Sequence, residues 1–209
     1  MQKIKLLKTI KIKNILACIF LLLLNLSFTG ANAACLQLCS ENWWLNTSKE
    51  EIKSEILKVK NVNMRDGYGF RPLHFAVQNG EKDKVNLLLK SGVNTNAKTD
   101  HGFTPIYFAV GKNGDFEILK MLIKFGALIN VYDKNGITPL HYAAWGTAEK
   151  ISILLEAGAD KKAKTNSGKT AFELAKDNED LFGTETYYLL KNTNEWSLLY
   201  FKYYLNKNI

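Results

Sequence analysis

Proline is scarce in this sequence of 209 residues, which contains only three copies, and histidine is equally scarce. No Ser-His-Asp order and no Cys-His pairing can be identified, so the usual nucleophilic constellations are missing. The acidic residues Asp100, Asp133 and Asp160 are interpreted as turn residues of the chain, not as a paired acid and base. Glycines occur singly and do not form a phosphate-binding loop. These absences argue against an enzyme and against a bound cofactor.

Strong charge of one sign is missing from most of the chain. The net charge is +8, of which +5 comes from five lysines near the N-terminus: Lys3, Lys5, Lys8, Lys11 and Lys13. Residues 34–209 therefore carry only +3. That excess is too small to argue for a nucleic-acid partner.

The sequence also lacks an apolar run long enough for an ordinary membrane span, which needs about 20 residues. The N-terminal lysines precede an apolar stretch at 15–26 that is interrupted by Asn25, and Ala31-Asn32-Ala33 then fits a small-x-small cleavage site. We predict that residues 1–33 are a signal peptide cleaved between Ala33 and Ala34. The mature protein is then expected in the periplasm or outside the cell, and an uncleaved N-terminal anchor is the alternative.

Cysteine is limited to three copies, and Cys18 leaves with the predicted signal peptide. Cys35 and Cys39 remain, four residues apart, and can form a disulfide in an oxidising compartment if the chain turns tightly there. A second interpretation is lipidation of Cys35, because Asn32-Ala33-Ala34-Cys35 is close to a bacterial lipobox, with Asn where an aliphatic residue is expected. Two free thiols are a third. A zinc site would have too few ligands, so no metal site is predicted.

The chain is organised by a hexapeptide that occurs four times. The copies are Arg71-Pro72-Leu73-His74-Phe75-Ala76, Thr104-Pro105-Ile106-Tyr107-Phe108-Ala109, Thr138-Pro139-Leu140-His141-Tyr142-Ala143 and the degenerate Thr170-Ala171-Phe172-Glu173-Leu174-Ala175. Successive copies are separated by 33, 34 and 32 residues. Each of the first three is followed by an apolar run that ends at Gly92, Gly126 or Gly158. A fixed period of this length predicts a stack of identical structural units.

These residues resemble the ankyrin repeat, whose motif is Thr-Pro-Leu-His-x-Ala followed by two helices and a β-turn. The resemblance covers residues 66–176 and departs from the motif at Arg71, Tyr107 and Ala171. It implies an all-α solenoid of stacked helix-turn-helix units with β-turn tips. It also implies that His74 and His141 form local hydrogen bonds and hold neighbouring repeats together.

The repeat boundaries divide the mature chain into five parts. Residues 34–65 are predicted to form a linker and a capping helix, in which Trp43-Trp44-Leu45 is an apolar plug and Ser48 to Glu51 a capping box. The remaining parts are repeat 1 at 66–98, repeat 2 at 99–132, repeat 3 at 133–164, and a degenerate repeat with a C-terminal cap at 165–209. The aromatic tail that begins near Trp196 is expected to belong to that cap, with an exposed partner or membrane anchor as the alternative.

The resemblance implies a non-catalytic module that binds a protein partner through the concave face formed by the tips and the edges of the first helices. The residues predicted to bind that partner are Tyr68, Phe70, Gln78, His101, Phe103, Lys112, Asn135, Ile137 and Trp145. Large apolar side chains at such positions favour an interface, because aromatic anchors dominate interface energetics. We expect a monomer that binds no nucleic acid. The alternative is an accessory protein tethered to a membrane by lipidated Cys35 or by the uncleaved signal.

Overall fold

A computed structural model of the chain describes residues 38–58, 61–111 and 114–191. The predicted signal peptide, its cleavage site, Cys35, Lys112 and the aromatic tail lie outside the described residues. Cys39 is disulfide-bonded. Because its predicted partner Cys35 is not described, the pairing itself stays a prediction.

The described residues form ten α-helices and no strands. Five of them are α1 (Glu41–Asn46), α3 (Pro72–Gln78), α5 (Pro105–Val110), α7 (Pro139–Ala143) and α9 (Ala171–Ala175). They alternate along the chain with α2 (Lys49–Lys58), α4 (Lys82–Lys90), α6 (Phe116–Lys124), α8 (Ala148–Glu156) and α10 (Glu185–Leu189).

The ten helices pack as two parallel rows. The first helices α1, α3, α5, α7 and α9 contact one another in chain order, and the second helices from α2 to α10 do the same. The core lies between the rows and runs continuously from Leu38 and Trp44 to Leu190. This is the architecture of an all-α repeat solenoid, as the sequence predicted.

The local sequence explains where the helices begin and end. Pro72, Pro105 and Pro139 each occupy the first helical position, where a missing N–H costs nothing because that group has no partner within the helix. Gly92, Gly126 and Gly158 follow the second helices at φ 77°, 83° and 89°. Only glycine adopts this left-handed conformation readily, so it stops the helix and turns the chain towards the next tip.

The N-terminal part contains two helices where the sequence predicted one capping helix. Trp43 and Trp44 lie on α1, which has 6 residues and is within the range of 5 to 7 residues of the other first helices. Trp44 is fully buried, and its Nε1–H donates to the Leu38 carbonyl at 2.8 Å. The predicted capping box at the start of α2 is confirmed, because Glu51 accepts from the backbone N–H of Ser48 at 2.9 Å. Residues 38–58 therefore form a repeat-like helix pair that closes the N-terminal end of the stack.

Two buried lysines join neighbouring repeats. Lys84 and Lys150 occupy the same position in α4 and α8, and each amine donates to a backbone carbonyl of the preceding repeat, those of Trp44 and Gly111. Burial lowers the pKa of Lys150, because an ammonium group is poorly solvated there. Within the part of the chain that the structure describes, no helix is both long and apolar enough to cross a membrane.

Candidate binding face of the tips and first helices

The four tips share one backbone construction, in which the N–H of the first residue donates to the carbonyl of the fifth at 2.8 to 3.1 Å. In repeat 1, Oδ1 of Asp66 accepts from the N–H groups of Tyr68 and Phe70 at 2.9 and 2.8 Å. In repeat 3, Asp133 makes the same bonds to Asn135 and Ile137, both at 2.8 Å. The carboxylate at the start of these turns thus fixes the orientation of the two variable residues that follow it.

Backbone hydrogen bonds link each tip to the next. The N–H of Asp100 donates to the Tyr68 carbonyl at 2.9 Å, and that of Lys134 to the His101 carbonyl at 3.1 Å. The N–H of Asn166 donates to the Asn135 carbonyl at 2.9 Å. The tips are therefore one continuous row and not four independent loops.

The fourth residue of the hexapeptide ties each first helix to the tip that follows. Nε2 of His74 lies 3.0 and 3.3 Å from the carbonyl oxygens of Ala97 and Phe103. In repeat 2, the hydroxyl of Tyr107 lies 2.9 and 2.7 Å from the equivalent carbonyls of Val131 and Ile137. In repeat 3, Nε2 of His141 lies 3.0 Å from the carbonyl of Lys169. The bridging role that the resemblance implied for the histidines is thus present, and Tyr107 performs it in repeat 2.

Six aromatic side chains form a continuous band across the tips and first helices of repeats 1 to 3. We name this band the aromatic stripe, and it consists of Phe70, Phe75, Phe103, Phe108, Tyr142 and Trp145. Successive ring centroids along it are 5.5 Å (Phe75 to Phe70), 5.8 Å (Phe70 to Phe108), 6.3 Å (Phe108 to Phe103), 5.8 Å (Phe103 to Tyr142) and 5.6 Å (Tyr142 to Trp145) apart. Five of the rings are half-buried and Trp145 is exposed, so the stripe presents apolar surface to solvent.

The stripe ends at repeat 4. The tip position of Phe70 and Phe103 is occupied by Ile137 in repeat 3 and by exposed Lys169 in repeat 4. The helix position of Phe75, Phe108 and Tyr142 is occupied in repeat 4 by Leu174, which is buried. The apolar part of this face is therefore limited to the first three repeats.

The residues predicted to bind a partner lie along this face in different degrees of exposure. Tyr68 is 72% and Trp145 46% exposed. Gln78, His101 and Asn135 are exposed, whereas Phe70, Phe103 and Ile137 are half-buried. The ring of His101 stacks on that of Phe103 at 6.3 Å, so the two side chains form one surface. The prediction for Lys112 concerns a residue outside the described part.

Three members of the stripe were missing from the predicted set: Phe75, Phe108 and Tyr142. Each directly follows the His or Tyr of the hexapeptide, a stretch to which the resemblance assigns a structural role. The signal was nevertheless visible, because an aromatic residue occupies this position in all three well-preserved copies.

The stripe carries little free charge. Arg65 and Asp100, which flank it at the first two tips, form an ion pair with an N–O distance of 2.9 Å. Burial raises the pKa of Tyr107 and Tyr142, and the carboxylate of Asp133 raises both further, so both phenols stay neutral in ordinary buffers. The stripe therefore offers neutral rings, with the imidazole of His101 and the amine of Lys134 on the exposed tips beside it, which suits recognition better than acid–base chemistry.

Other kinds of site find little support in the described ranges. No group of three or more His, Cys, Asp and Glu side chains there lies close enough to hold a metal ion. A cavity of about 340 Å³ lies at the N-terminal end, between α1 and α2, and is lined by Trp43, Asn46, Thr47, Glu51, Ser54, Glu55 and Lys58. Its acidic groups already bond to Ser48 and Lys58. It lies apart from the tips and the stripe.

Comparison with protein families agrees with this geometry. The family model for the ankyrin repeat matches residues 68–100 and 135–166, and the model for ankyrin repeats in many copies matches residues 87–143. Residues 68–166 are an ankyrin-repeat solenoid. Ankyrin repeats generally mediate protein–protein interactions and are typically non-catalytic. No curated protein matches the chain. The whole aromatic stripe lies within the matched ankyrin repeats, from Phe70 to Trp145.

Proposed function

We propose that this ankyrin repeat protein is a non-catalytic module that binds a protein partner on the aromatic stripe and the adjoining tips. The observation that supports the proposal is the continuity of the stripe, with six rings whose successive centroids are at most 6.3 Å apart. A monomeric soluble surface rarely leaves such a band uncovered unless it is functional.

The rigidity of the face adds to this support. The tips are linked by backbone bonds, and the stripe is supported underneath by His74 and Tyr107. A surface already held in one conformation loses little entropy on binding, which favours affinity. The partner is therefore expected to meet a preformed apolar band, with Gln78, His101 and Asn135 available for hydrogen bonds at its edges.

The proposal includes export, which rests on the N-terminal sequence alone. Mass spectrometry of the mature protein is expected to find Ala34 as the first residue. An acylated Cys35 would instead establish the tethered alternative, and retention of Met1 to Ala33 would indicate an uncleaved anchor.

Matched substitutions test the binding face. Tyr68 and Trp145 are 72% and 46% exposed on the proposed face, while Leu128 and Phe125 are 58% and 37% exposed next to the end of α6 in the other row. The partner is first captured by crosslinking in the native compartment and purified. Its affinity is then measured for a Tyr68→Ala/Trp145→Ala variant and for a Phe125→Ala/Leu128→Ala control.

We expect the Tyr68→Ala/Trp145→Ala variant to lose at least about 30-fold in affinity, since even one anchor of this type contributes about 2 kcal/mol or more. The control variant should bind like the parent chain. Equal losses in both variants, or a loss confined to the control, would place the interface elsewhere and refute the proposal.

A further inference from the structure

The three bridges that join repeats 1 to 4 differ in one chemical respect. His74 and His141 can gain a proton in mild acid, whereas Tyr107, which contacts the equivalent carbonyls, cannot. We call each of these contacts between a first helix and the next tip a joint. The joints at His74 and His141 can titrate, and the joint at Tyr107 has the same geometry and serves as an internal control.

The hydrogen bonds of His74 fix its tautomer. Nε2 faces two carbonyl oxygens, so it carries the proton, and Nδ1 accepts from the backbone N–H of Arg71 at 2.9 Å. A second proton would have to bind to Nδ1, and the resulting Nδ1–H would then face the backbone N–H of Arg71. Protonation therefore requires that the bond closing the start of α3 be broken.

The first residue of the hexapeptide makes His74 different from His141. Nδ1 of His141 accepts from the Thr138 backbone N–H at 3.2 Å, as in repeat 1, but it also lies 2.8 Å from the hydroxyl of Thr138, which can rotate and accept from a protonated ring. In repeat 1 the corresponding residue is Arg71, which offers no acceptor and brings a positive charge. The Arg71 guanidinium is held there by a bond from Nη1 to the Asn63 carbonyl, while its Nε is buried without a partner.

The surrounding charges strengthen this asymmetry. Burial, with a smaller contribution from the charge of Arg71, lowers the pKa of His74 to about 4 against the opposing effect of the Ala97 and Phe103 carbonyls. Burial also lowers the pKa of His141, but the carbonyls of Lys169 and Ala163 and the carboxylate of Asp133 oppose it. On the tip that faces His74, Asp100 is already paired with Arg65.

We propose that His74 is an acid-sensitive latch between the first two tips, made so by the arginine at position 71. When the joint opens and His74 takes up a proton, α3 loses its bond to the base of the second tip. Phe70 and Phe103 then lose the arrangement that places them side by side with Phe108, because His74 contacts the Phe70 and Phe108 rings at 5.7 and 5.8 Å.

The direction of the pH effect follows from the lowered pKa. The closed joint binds a proton less readily than the open one, so the closed state is fully favoured above about pH 6.5 and loses this advantage as the pH falls towards 4. Between pH 7 and pH 5 the opening equilibrium should rise on the order of twentyfold.

Three backbone amides report on the joints separately. The Asp100 amide bonds to Tyr68 across the His74 joint, the Lys134 amide bonds to His101 across the Tyr107 joint, and the Asn166 amide bonds to Asn135 across the His141 joint. Hydrogen exchange in the full chain at pH 7 and pH 5, corrected for the intrinsic rates, measures each. We expect opening on the order of twentyfold greater at Asp100, a smaller increase at Asn166 and less than about twofold at Lys134.

Two variants and one titration test the cause. His74→Tyr copies Tyr107 and should abolish the increase at Asp100. NMR titration of the imidazoles should give His74 a lower pKa than His141, and Arg71→Thr should raise the pKa of His74 towards that of His141. Because the NMR titration uses the parent chain and Arg71→Thr, it still tests the inference if His74→Tyr does not fold.

The inference is overturned if the pKa of His74 equals or exceeds that of His141, or if Arg71→Thr leaves the pKa of His74 unchanged. It is also overturned if exchange of the Asp100 amide increases between pH 7 and pH 5 as much in His74→Tyr as in the parent chain. Its consequence for binding rests on the proposed function, but the measurements do not. If the exchange and titration results are as expected but no partner binds at the stripe, the proposed function is refuted and the inference about His74 is not.

Discussion

At the scale of single residues, the tip glycines show how closely neighbouring repeats approach. Gly69, Gly102, Gly136 and Gly168 occupy the same position of their tips, with φ between 71° and 88°. A Cβ at Gly136 would lie 2.5 Å from Oδ1 of Asn166 and 2.9 Å from its backbone N, whereas a Cβ at Gly168 would meet nothing within 4 Å. Glycine is therefore required at Gly136 for two reasons, because the backbone has a positive φ and because a Cβ would clash with Asn166.

Gly136→Ala and Gly168→Ala form a matched pair that separates the two requirements. Gly168→Ala should cost about 1 kcal/mol, because alanine is strained at positive φ. Gly136→Ala should cost about 2–3 kcal/mol, since it also displaces the bond from Asn166 to Asn135. Denaturant unfolding gives the free energy of unfolding of both variants. Equal losses would show that the close approach of Asn166 to Gly136 adds nothing to the cost of the substitution.

At the scale of helices, the second helices of repeats 2 and 3 begin differently. Oδ1 of Asp115 accepts from the N–H groups of Glu117 and Ile118 at 2.7 and 3.4 Å at the start of α6. Thr147 holds the same position before α8 but makes no side-chain capping bond. An N-cap bond satisfies an N–H group that the helix itself leaves unpaired.

Asp115→Ala is therefore expected to lower the free energy of unfolding by about 1 kcal/mol, and Thr147→Ala by less than about 0.5 kcal/mol. The midpoints of urea unfolding at unchanged slope give both values. Asp115 also pairs with Lys82 at 3.3 Å, so Lys82→Ala serves as the control for the ion pair. If Lys82→Ala costs as much as Asp115→Ala, the ion pair and not the cap explains the loss.

The same scale shows what the sequence could predict. Helix starts and stops could be predicted because Pro72 and Gly92 act through their own backbone geometry and Ser48 through hydrogen bonds to Glu51 in the same turn, none of which needs a neighbouring repeat. Lys84 and Lys150 gave no such signal, because a lysine near a helix start looks exposed until the preceding repeat is stacked on it. The helix starts and stops predicted from local chemistry are present in the structure. Burial that arises only when neighbouring repeats stack could not be predicted in the same way.

The proposed binding face illustrates that limit. Tyr68 and Trp145 could be proposed from the sequence because large side chains at tip and helix-edge positions are unusual. Phe75, Phe108 and Tyr142 were missed because only the stacking of α3, α5 and α7 shows that this position faces solvent between two tips.

At the scale of the whole molecule, each repeat contacts mainly its neighbours in chain order. Stability in such a stack is a sum of terms for single repeats and for the interfaces between them. The central repeat 2 has two interfaces, while repeat 4 has one with the described residues before it. The same cavity should therefore have different consequences in the two places.

Leu119 in α6 and Leu181 before α10 are both fully buried, at 0% and 1% exposure. Replacing either by alanine removes comparable apolar contacts and should cost about 2–5 kcal/mol where the site cannot collapse. For Leu119→Ala we expect faster hydrogen exchange in α3, α5, α7 and α9, because the loss of repeat 2 uncouples both halves of the stack. For Leu181→Ala, faster exchange should be confined to residues 165–191, since repeats 1 to 3 keep their shared interfaces. Exchange that rises uniformly over residues 61–191 in both variants would mean that the stack unfolds as one cooperative unit, in which no repeat can loosen alone.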